Sequence, residues 1–418
     1  MLTTEQNERF TRVGPNTPCG ELMRRYWHPI AASSQLLKPG TKPITILGES
    51  LVLYRDRQGR LGLLEPPCAH RKAGLIFGMP HEDGLRCTYH GWLYNAEGWC
   101  IEQPFETFVD PGSTFKGKVQ IKAYPVEELG GLIFAYLGPE PRPLLPRWEG
   151  FVLENAYREI GMALIPCNWL QTVENAGDGS HVVTTHWEHS HYVLERLGRS
   201  DLRRHAGSSG AEGYRIAGHR DRNWAGIGAV IFPYMDPHGD LSYQIRVPVD
   251  DTHTLHIWYM AYPADAQQEL GIEMPPQADP REAPVFDVPV PLIGADGEPD
   301  WALLDNNSGQ DLVMWYSQGP IMDRTTESLG HGDEQIIAYR KLLEEQITVV
   351  EDGGDPINTF RDPAENEYLV PPQFGSMRPR IAPDGRPDLT NAVRKYAGAF
   401  RQASINRLGP EYLNDPVH

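Results

Sequence analysis

The sequence predicts an α+β protein in two parts, an all-β domain over residues 1–150 and a larger domain over 151–418 in which helices flank an antiparallel sheet. Three observations lead there. Short apolar runs at 44–47, 51–54 and 61–64 are separated by the turn residues Gly48-Glu49-Ser50 and Asp56-Arg57-Gln58-Gly59, as in hairpin-linked strands. Alternating runs at 229–232, 243–248 and 254–259 predict antiparallel strands with one face on a helix and the other on a cavity. Between the two textures lies a Pro-rich stretch at 139–146, the best boundary candidate.

Composition narrows the function classes. With 418 residues, 40% of them hydrophobic and 22% charged, the chain has material for more than one packed core. A formal charge of −18 speaks against a nucleic-acid partner, because binding a polyanion needs Lys and Arg on the phosphates. No apolar run reaches the roughly 20 residues that span a bilayer, and the N-terminus lacks the basic-then-apolar order of a signal peptide. A cytoplasmic protein without membrane contact is expected. The five cysteines, Cys19, Cys68, Cys87, Cys100 and Cys167, are few and odd in number, so reduced thiols are expected rather than a disulfide framework.

Taken in order, residues 4–13 predict a short helix capped by Thr3 or Thr4 and stopped at Gly14-Pro15. The strand texture then runs from Pro43 to a last strand at 132–137. Inside it sit Cys68-Ala69-His70 and, after sixteen intervening residues, Cys87-Thr88-Tyr89-His90. Each half offers one thiolate and one imidazole on a loop, and two such loops grip a two-iron cluster from opposite sides. A Cys pair on one iron and a His pair on the other is the Rieske [2Fe–2S] arrangement. Zinc fits the ligand count, but the spacing departs from that of zinc fingers. Gly74, Gly78, Gly84 and Gly91 crowd the loops, where backbone must approach the cluster closely. Trp92 and Tyr94 read as β-core.

The second domain soon reaches residues 168–186, which begin like a helix and then turn rich in Gly and polar groups around Asp178, His181 and His186. Two histidines and a distant carboxylate make the facial triad of non-heme Fe(II) sites, with positions left open for O2 and substrate. In a regular α-helix residues five apart point roughly 140° away from each other. His181 and His186 therefore share one metal only if the helix bends, widens or ends between Gly179 and His186. Asp178 and His181, three apart, can share a face. His189 and His191 are nearby competitors, read as pocket or surface residues.

Cys-x-His-Arg followed by Cys-x-Tyr-His-Gly-Trp resembles the Rieske domain of the Rieske non-heme iron aromatic-ring oxygenases. The opening Met1-Leu2-Thr3-Thr4-Glu5-Gln6-Asn7, with Arg12-Val13-Gly14-Pro15 and Arg24-Arg25-Tyr26-Trp27, is similar to their phthalate dioxygenase and O-demethylase type. The resemblance extends to about residue 345. It implies an N-terminal Rieske domain joined to a helix-grip (START-like) catalytic domain. It also implies a [2Fe–2S] cluster on Cys68, His70, Cys87 and His90, and a mononuclear Fe(II) on His181, His186 and a carboxylate from a helix after the sheet.

The run 306–314 is similar to that helix start and makes Asp311 the third ligand, with Asp305 and Asp323 as rivals. Asp178 matches the family's bridging carboxylate between cluster and iron, with His90 and His181 as its two partners, and Asn175 joins it in the catalytic set. The family's route runs from the cluster of one chain to the iron of the next, which implies a homotrimer or stacked homohexamer. With no flavin or NAD fingerprint in the N-terminal domain, electrons are expected from a separate ferredoxin or reductase component.

The expected reaction is O2-dependent oxidation of a small aromatic acid. O-demethylation of a methoxylated acid, such as a lignin-derived biaryl, leads over cis-dihydroxylation of a phthalate-like acid. A reading of another class is a Rieske electron carrier whose second domain only binds a ligand; the joint presence of Asp178, His181, His186 and Asp311 speaks against it. A carboxylate substrate calls for an Arg, with Arg215, Arg220, Arg222 and Arg246 as candidates. Trp187, Trp224, Phe232, Tyr234, Trp258 and Trp315 are candidate cavity walls. Asp323-Arg324 reads as a structural ion pair, the 263–300 segment as a surface loop or lid, a helix is expected near 333–348, and the tail from 349 onward is expected to wrap the body or a neighbour.

Overall fold

A computed structural model describes residues 1–198, 226–227, 230–237, 242–264, 267, 274, 277–294 and 296–371. Arg215, Arg220, Arg222, Trp224 and the tail beyond 371 lie outside the described residues, as does the side chain of Trp187.

Helix α1 (Thr4–Thr11) starts where expected: the Thr3 side chain accepts from the Gln6 N–H while Gln6 returns to the Thr3 backbone, a capping box. Helix α2 (Pro18–Met23) leads into β1 (Trp27–Ala32). Strands β2 (Gly40–Ile46), β3 (Glu49–Arg55) and β4 (Leu61–Leu64) follow. The first hairpin turns one residue earlier than the sequence predicts. Ile46 pairs with Glu49, which leaves Leu47 and Gly48, both at positive φ (49° and 74°), as the loop. Two positive φ angles are what a two-residue type I′ turn requires, so Glu49 and Ser50 enter the strand.

A second hairpin layer holds β5 (Met79–His81), β6 (Gly84–Arg86), β7 (Leu93–Tyr94) and β8 (Cys100–Glu102), followed by helix α3 (Pro104–Val109). Gly84 sits at φ 150°, and a Cβ there would lie 1.9 Å from the Tyr94 carbonyl oxygen, so β6 and β7 approach this closely only through glycine. Strands β9 (Ala123–Tyr124), β10 (Val126–Leu129) and β11 (Leu132–Tyr136) complete the N-terminal half. Its sheets run β2-β3-β4-β9, β5-β6-β7-β8 and β1-β11-β10.

After a short helix α4 (Glu149–Val152) comes β12 (Tyr157–Ile165), a nine-residue strand that the sequence reading did not single out. It pairs along its whole length with β17 (His253–Tyr262). With β13 (Gly226–Ile227), β14 (Val230–Ile231), β15 (Met235–Pro237), β16 (Ser242–Asp250) and β18 (Val285–Asp287) it builds a sheet ordered β13-β14-β15-β16-β17-β12-β18. Every pairing is antiparallel except β12 with β18. The 263–300 segment is thus more than loop: Val285 and Phe286 pair with Ile160 and Gly161, and the Phe286 ring fills the space a Cβ on Gly161 would take.

Alternation along β17 explains how helices grip this sheet. Ile257, Tyr259 and Ala261 join the main core with Leu170 and Val173 of helix α5 (Trp169–Gly177). Trp258, Met260 and Tyr262 point the other way and join Leu312 and Trp315 of helix α8 (Asn307–Tyr316). Between them run α6 (His181–Val183), a π-helical stretch over Thr184–His189, and α7 (Ser190–Arg196). Helix α9 (Glu334–Glu351) closes the first face through Tyr339, Leu343 and Ile347.

A buried ionic clasp ties α5 to α9. Glu174 receives both Arg324 (2.8 Å) and Arg340 (2.7 Å), and Arg340 also reaches Glu327. This corrects the expected Asp323-Arg324 pair. Chain neighbours face different ways; Arg324 turns inward to full burial, while Asp323 accepts from the Thr325 N–H and hydroxyl. The segment after α9 wraps its own body, with Leu144 donating to the Phe360 carbonyl and Leu369 to that of Arg147. Among the described residues no helix is long and apolar enough to cross a membrane.

Candidate functional site

Two donor sets stand out. The first is carried by the loops that follow β4 and β6. The thiols of Cys68 and Cys87 are buried at 1% and 2% exposure, whereas His70 is exposed and His90 half-buried. The two imidazole rings sit 4.5 Å apart at 70°. Tyr94 lies against Cys68: its hydroxyl oxygen accepts from the Ala69 N–H (3.1 Å), which leaves its proton to donate to Cys68 Sγ (3.1 Å). Trp92 stacks on His70, 4.5 Å away and 8° from parallel. Both aromatics are β-core as expected, and both also touch candidate ligands.

A cluster of this kind needs two imidazoles with free lone pairs and two thiols. His90 Nδ1 is buried without a hydrogen-bond partner among the described residues. Burial, together with His70 and Arg71, pushes the His90 pKa down, toward the neutral ligating form. Burial also pushes the Cys68 thiol up, against the bond from Tyr94. A positive cluster on the sulfur reverses that preference. The donor chemistry therefore fits the cluster.

The second donor set joins His181 on α6, His186 in the π-helical stretch and Asp311 on α8. Their ligand atoms lie within 4.8 Å of one another. Asp311 Oδ1 is 3.2 Å from His186 Nε2 and 3.7 Å from His181 Nε2. The five-residue step between the histidines crosses the widened turn, whose i→i+5 ring brings residues five apart back toward one face. The rings sit 5.1 Å apart. The irregularity expected between Gly179 and His186 is therefore present, as the π-helix that begins at Thr184.

Backbone and amide partners fix what these rings present. His181 Nδ1 bonds to the Asp178 carbonyl, and His186 Nδ1 lies 3.0 Å from Gln310 Oε1. An Nδ1–H committed to an oxygen leaves an Nε2 lone pair. Both lone pairs then converge with Asp311 Oδ1, an arrangement that repels itself until a cation sits among the three. Burial works against charge here, yet Asp311 raises the His186 pKa and His186 lowers that of Asp311. The set fits a divalent metal with two N donors and one O donor.

The other expected site residues fall as follows. Asp178 caps α5 outside helical geometry (φ −96°, ψ 98°). Its carbonyl, rather than its carboxylate, is the atom bonded to His181. The carboxylate accepts from the Ser180 N–H (2.8 Å) and hydroxyl (2.6 Å), with its second oxygen 3.8 Å from His181 Nδ1. Asn175 contributes the carbonyl that accepts from the Asp178 N–H. Asp305 bonds the Asn306 amide, and Asp323 its own turn.

Arg246 is 1% exposed, with Nη2 3.1 Å from Gln244 Oε1 and 3.4 Å from Asp236, and its guanidinium lies 5.8 Å from the Trp315 ring, one helical turn along from Asp311. Its Nε and Nη1 have no hydrogen-bond partner among the described residues. Trp258 is core beneath the same helix, tilted against His256 at 4.1 Å. Gln310 escaped the sequence reading; its position beside Asp311 was the one available signal.

Comparison with known proteins gives the same outline. Residues 26–122 match the family described as Rieske [2Fe-2S] domain, and residues 299–371 the one described as LigXa C-terminal domain like. The chain is 38% identical to the 5,5'-dehydrodivanillate O-demethylase oxygenase subunit of Sphingobium sp., covering 89% of this chain and 87% of that one. It is 29% identical to the phthalate 4,5-dioxygenase oxygenase subunit of Pseudomonas putida, covering 97% and 98%. Among solved structures, the terminal oxygenase of carbazole 1,9a-dioxygenase from Nocardioides aromaticivorans IC177 shares the fold, with a TM-score of 0.53 at 19% identity over 82% of this chain and 96% of that one. With a relative this similar over most of both lengths, the chain belongs to the Rieske non-heme iron oxygenases, as an oxygenase component.

Proposed function

We propose that this oxygenase component O-demethylates a methoxylated aromatic carboxylic acid, with a mononuclear iron held by His181, His186 and Asp311. The observation that carries the reading is the convergence of two Nε2 lone pairs and one carboxylate oxygen, with both Nδ1 atoms tied back. The 38% identity to a subunit named for O-demethylation favours this reaction. The oxidation would convert a methoxy methyl to a hydroxymethyl ether that loses formaldehyde, consuming O2, two electrons and two protons and releasing water. Bound at the triad, iron would supply O2 activation, and a [2Fe–2S] cluster on Cys68, His70, Cys87 and His90 would deliver electrons singly.

The chain's own groups have distinct tasks in this proposal. Residues 1–150 take in electrons and 151–418 perform the chemistry. Arg246 holds the substrate carboxylate through Nη1, a charge-assisted hydrogen bond that also compensates the burial of that nitrogen. Asp178, with Asn175 closing the helix end behind it, receives the cluster edge at His90 of a neighbouring copy and holds His181 on the iron side. The subunit ring that this requires, and a separate ferredoxin or reductase, belong to the same proposal; a cytoplasmic setting would keep the thiols reduced.

Dihydroxylation of a phthalate-like acid is the second reading, favoured by the match to the Pseudomonas putida subunit over nearly both full lengths. A reductase-coupled assay on methoxylated and plain aromatic acids separates the two: formaldehyde is expected, and a dihydrodiol without formaldehyde would replace the first reading with the second.

A further inference from the structure

Gln310 sits one residue before Asp311 on α8 and is fully buried. Its carboxamide has three partners. Nε2 donates to the Leu304 carbonyl (2.8 Å) and to Ser190 Oγ (2.7 Å), and Oε1 faces His186 Nδ1 (3.0 Å). The orientation is not interchangeable. Turning the amide over would set its oxygen against the Leu304 carbonyl oxygen, two acceptors with no proton between them, inside a buried site where an unmade bond is costly. Leu304 thereby fixes the amide, and the amide in turn fixes the proton of His186 on Nδ1.

We infer that Gln310 is the positioning residue of the metal centre: it sets the tautomer and ring plane of His186 so that Nε2 meets the metal. The inference rests on the proposed triad. Consecutive residues of one helix thus address the same histidine from both ends, Gln310 at Nδ1 and Asp311 at Nε2 through the metal. Ser190, just past the π-helical stretch that carries His186, receives the other arm of the amide, so Gln310 also braces that widened turn against α8. Being a neutral amide, it leaves Asp311 as the lone anion of the donor set. A carboxylate in its place would keep the acceptor and add charge, strengthening the imidazole as a ligand.

The test uses full-length protein with its cluster intact and its mononuclear iron removed, titrated with Co(II), whose visible bands report both affinity and ligand geometry. Gln310→Leu is expected to weaken Co(II) binding by roughly 10- to 100-fold and to change the bands, with the cluster spectrum unaltered. Gln310→Glu is expected to bind at least as tightly as the parent. Should the leucine variant not fold, Ser190→Ala decides: it removes one of the amide's two acceptors and is expected to weaken binding by about threefold, part of the loss assigned to such partners. Parental affinity and bands in Gln310→Leu, or in Ser190→Ala if it is needed, would overturn the inference. His186→Ala separates the two levels: if it retains Co(II) the triad itself is wrong, and if it loses Co(II) while Gln310→Leu retains it, only the role of Gln310 falls.

Discussion

Cys68, His70, Cys87 and His90 come from two loops close in sequence, one joining the β2-β3-β4-β9 sheet to the β5-β6-β7-β8 sheet and one between β6 and β7, their thiol side buried and their imidazole side facing outward, with Tyr89, Phe105 and Phe108 exposed. His181, His186 and Asp311 instead come from two segments separated by most of the seven-stranded sheet, and each is largely screened from solvent. The contrast fits the task proposed for each. A group that exchanges electrons with a partner needs its edge at the surface. A group that handles O2 beside a substrate needs walls that exclude water and a framework that keeps its donors from collapsing together.

The largest expected effect comes from breaking one region and leaving the other. Cys87→Ser should abolish the cluster's visible spectrum and reduce turnover by more than about 100-fold, since even the partner of a metal ligand is worth roughly 10- to 100-fold. The triad should still bind Co(II), and loss of both sites together would deny that they are built independently. Next, Glu174→Gln leaves Arg324 and Arg340 buried with one partner fewer, a change that costs about 3–5 kcal/mol and should appear in thermal melts as earlier loss of the triad metal.

The acid dependence follows from the same clasp. Burial would raise the Glu174 pKa, but Arg324 and Arg340 outweigh it and hold the carboxyl below its ordinary range. A depressed folded-state pKa gives stability that is complete above the ordinary carboxylate range and is lost as pH falls through the folded value. Stability measured from pH 7 downward should therefore fall more steeply for the parent than for Glu174→Gln.

A smaller effect is expected from Asp178→Asn: both metals bound, with single-turnover electron transfer slowed about tenfold, the lower end of what such partners contribute. Unchanged kinetics would remove Asp178 from the bridge. Smallest is Tyr94→Phe, which removes a hydrogen bond to a cluster sulfur and should lower the cluster potential by on the order of 50 mV, close to a tenfold change for one electron. An unmoved potential would make Tyr94 packing alone.

The same contrast explains what the sequence made legible. The four proposed cluster residues lie in one short stretch, so spacing alone makes them candidates. The π-helix was accessible by a different argument, because two histidines five apart cannot meet on a regular helix. Asp311 needed a family resemblance, since a carboxylate near a helix start has ordinary reasons to be there. Strand β12 was missed because Gly161 interrupts its apolar pattern, and only the fold shows Phe286 filling that gap. Arg324 was assigned to its chain neighbour Asp323, whereas its partner Glu174 lies far away in sequence. Gln310 offers the sequence one signal, its place beside Asp311, because a glutamine shows no role until the histidine it faces is in place.

The central claim is that His181, His186 and Asp311 hold one iron that is distinct from the cluster. Iron and acid-labile sulfide measured on the reconstituted parent and on Asp311→Ala test it directly. The parent should contain about three irons for about two sulfides per chain, and Asp311→Ala about two irons for the same sulfide. An Asp311→Ala protein that keeps the parental iron-to-sulfide ratio would contradict the account.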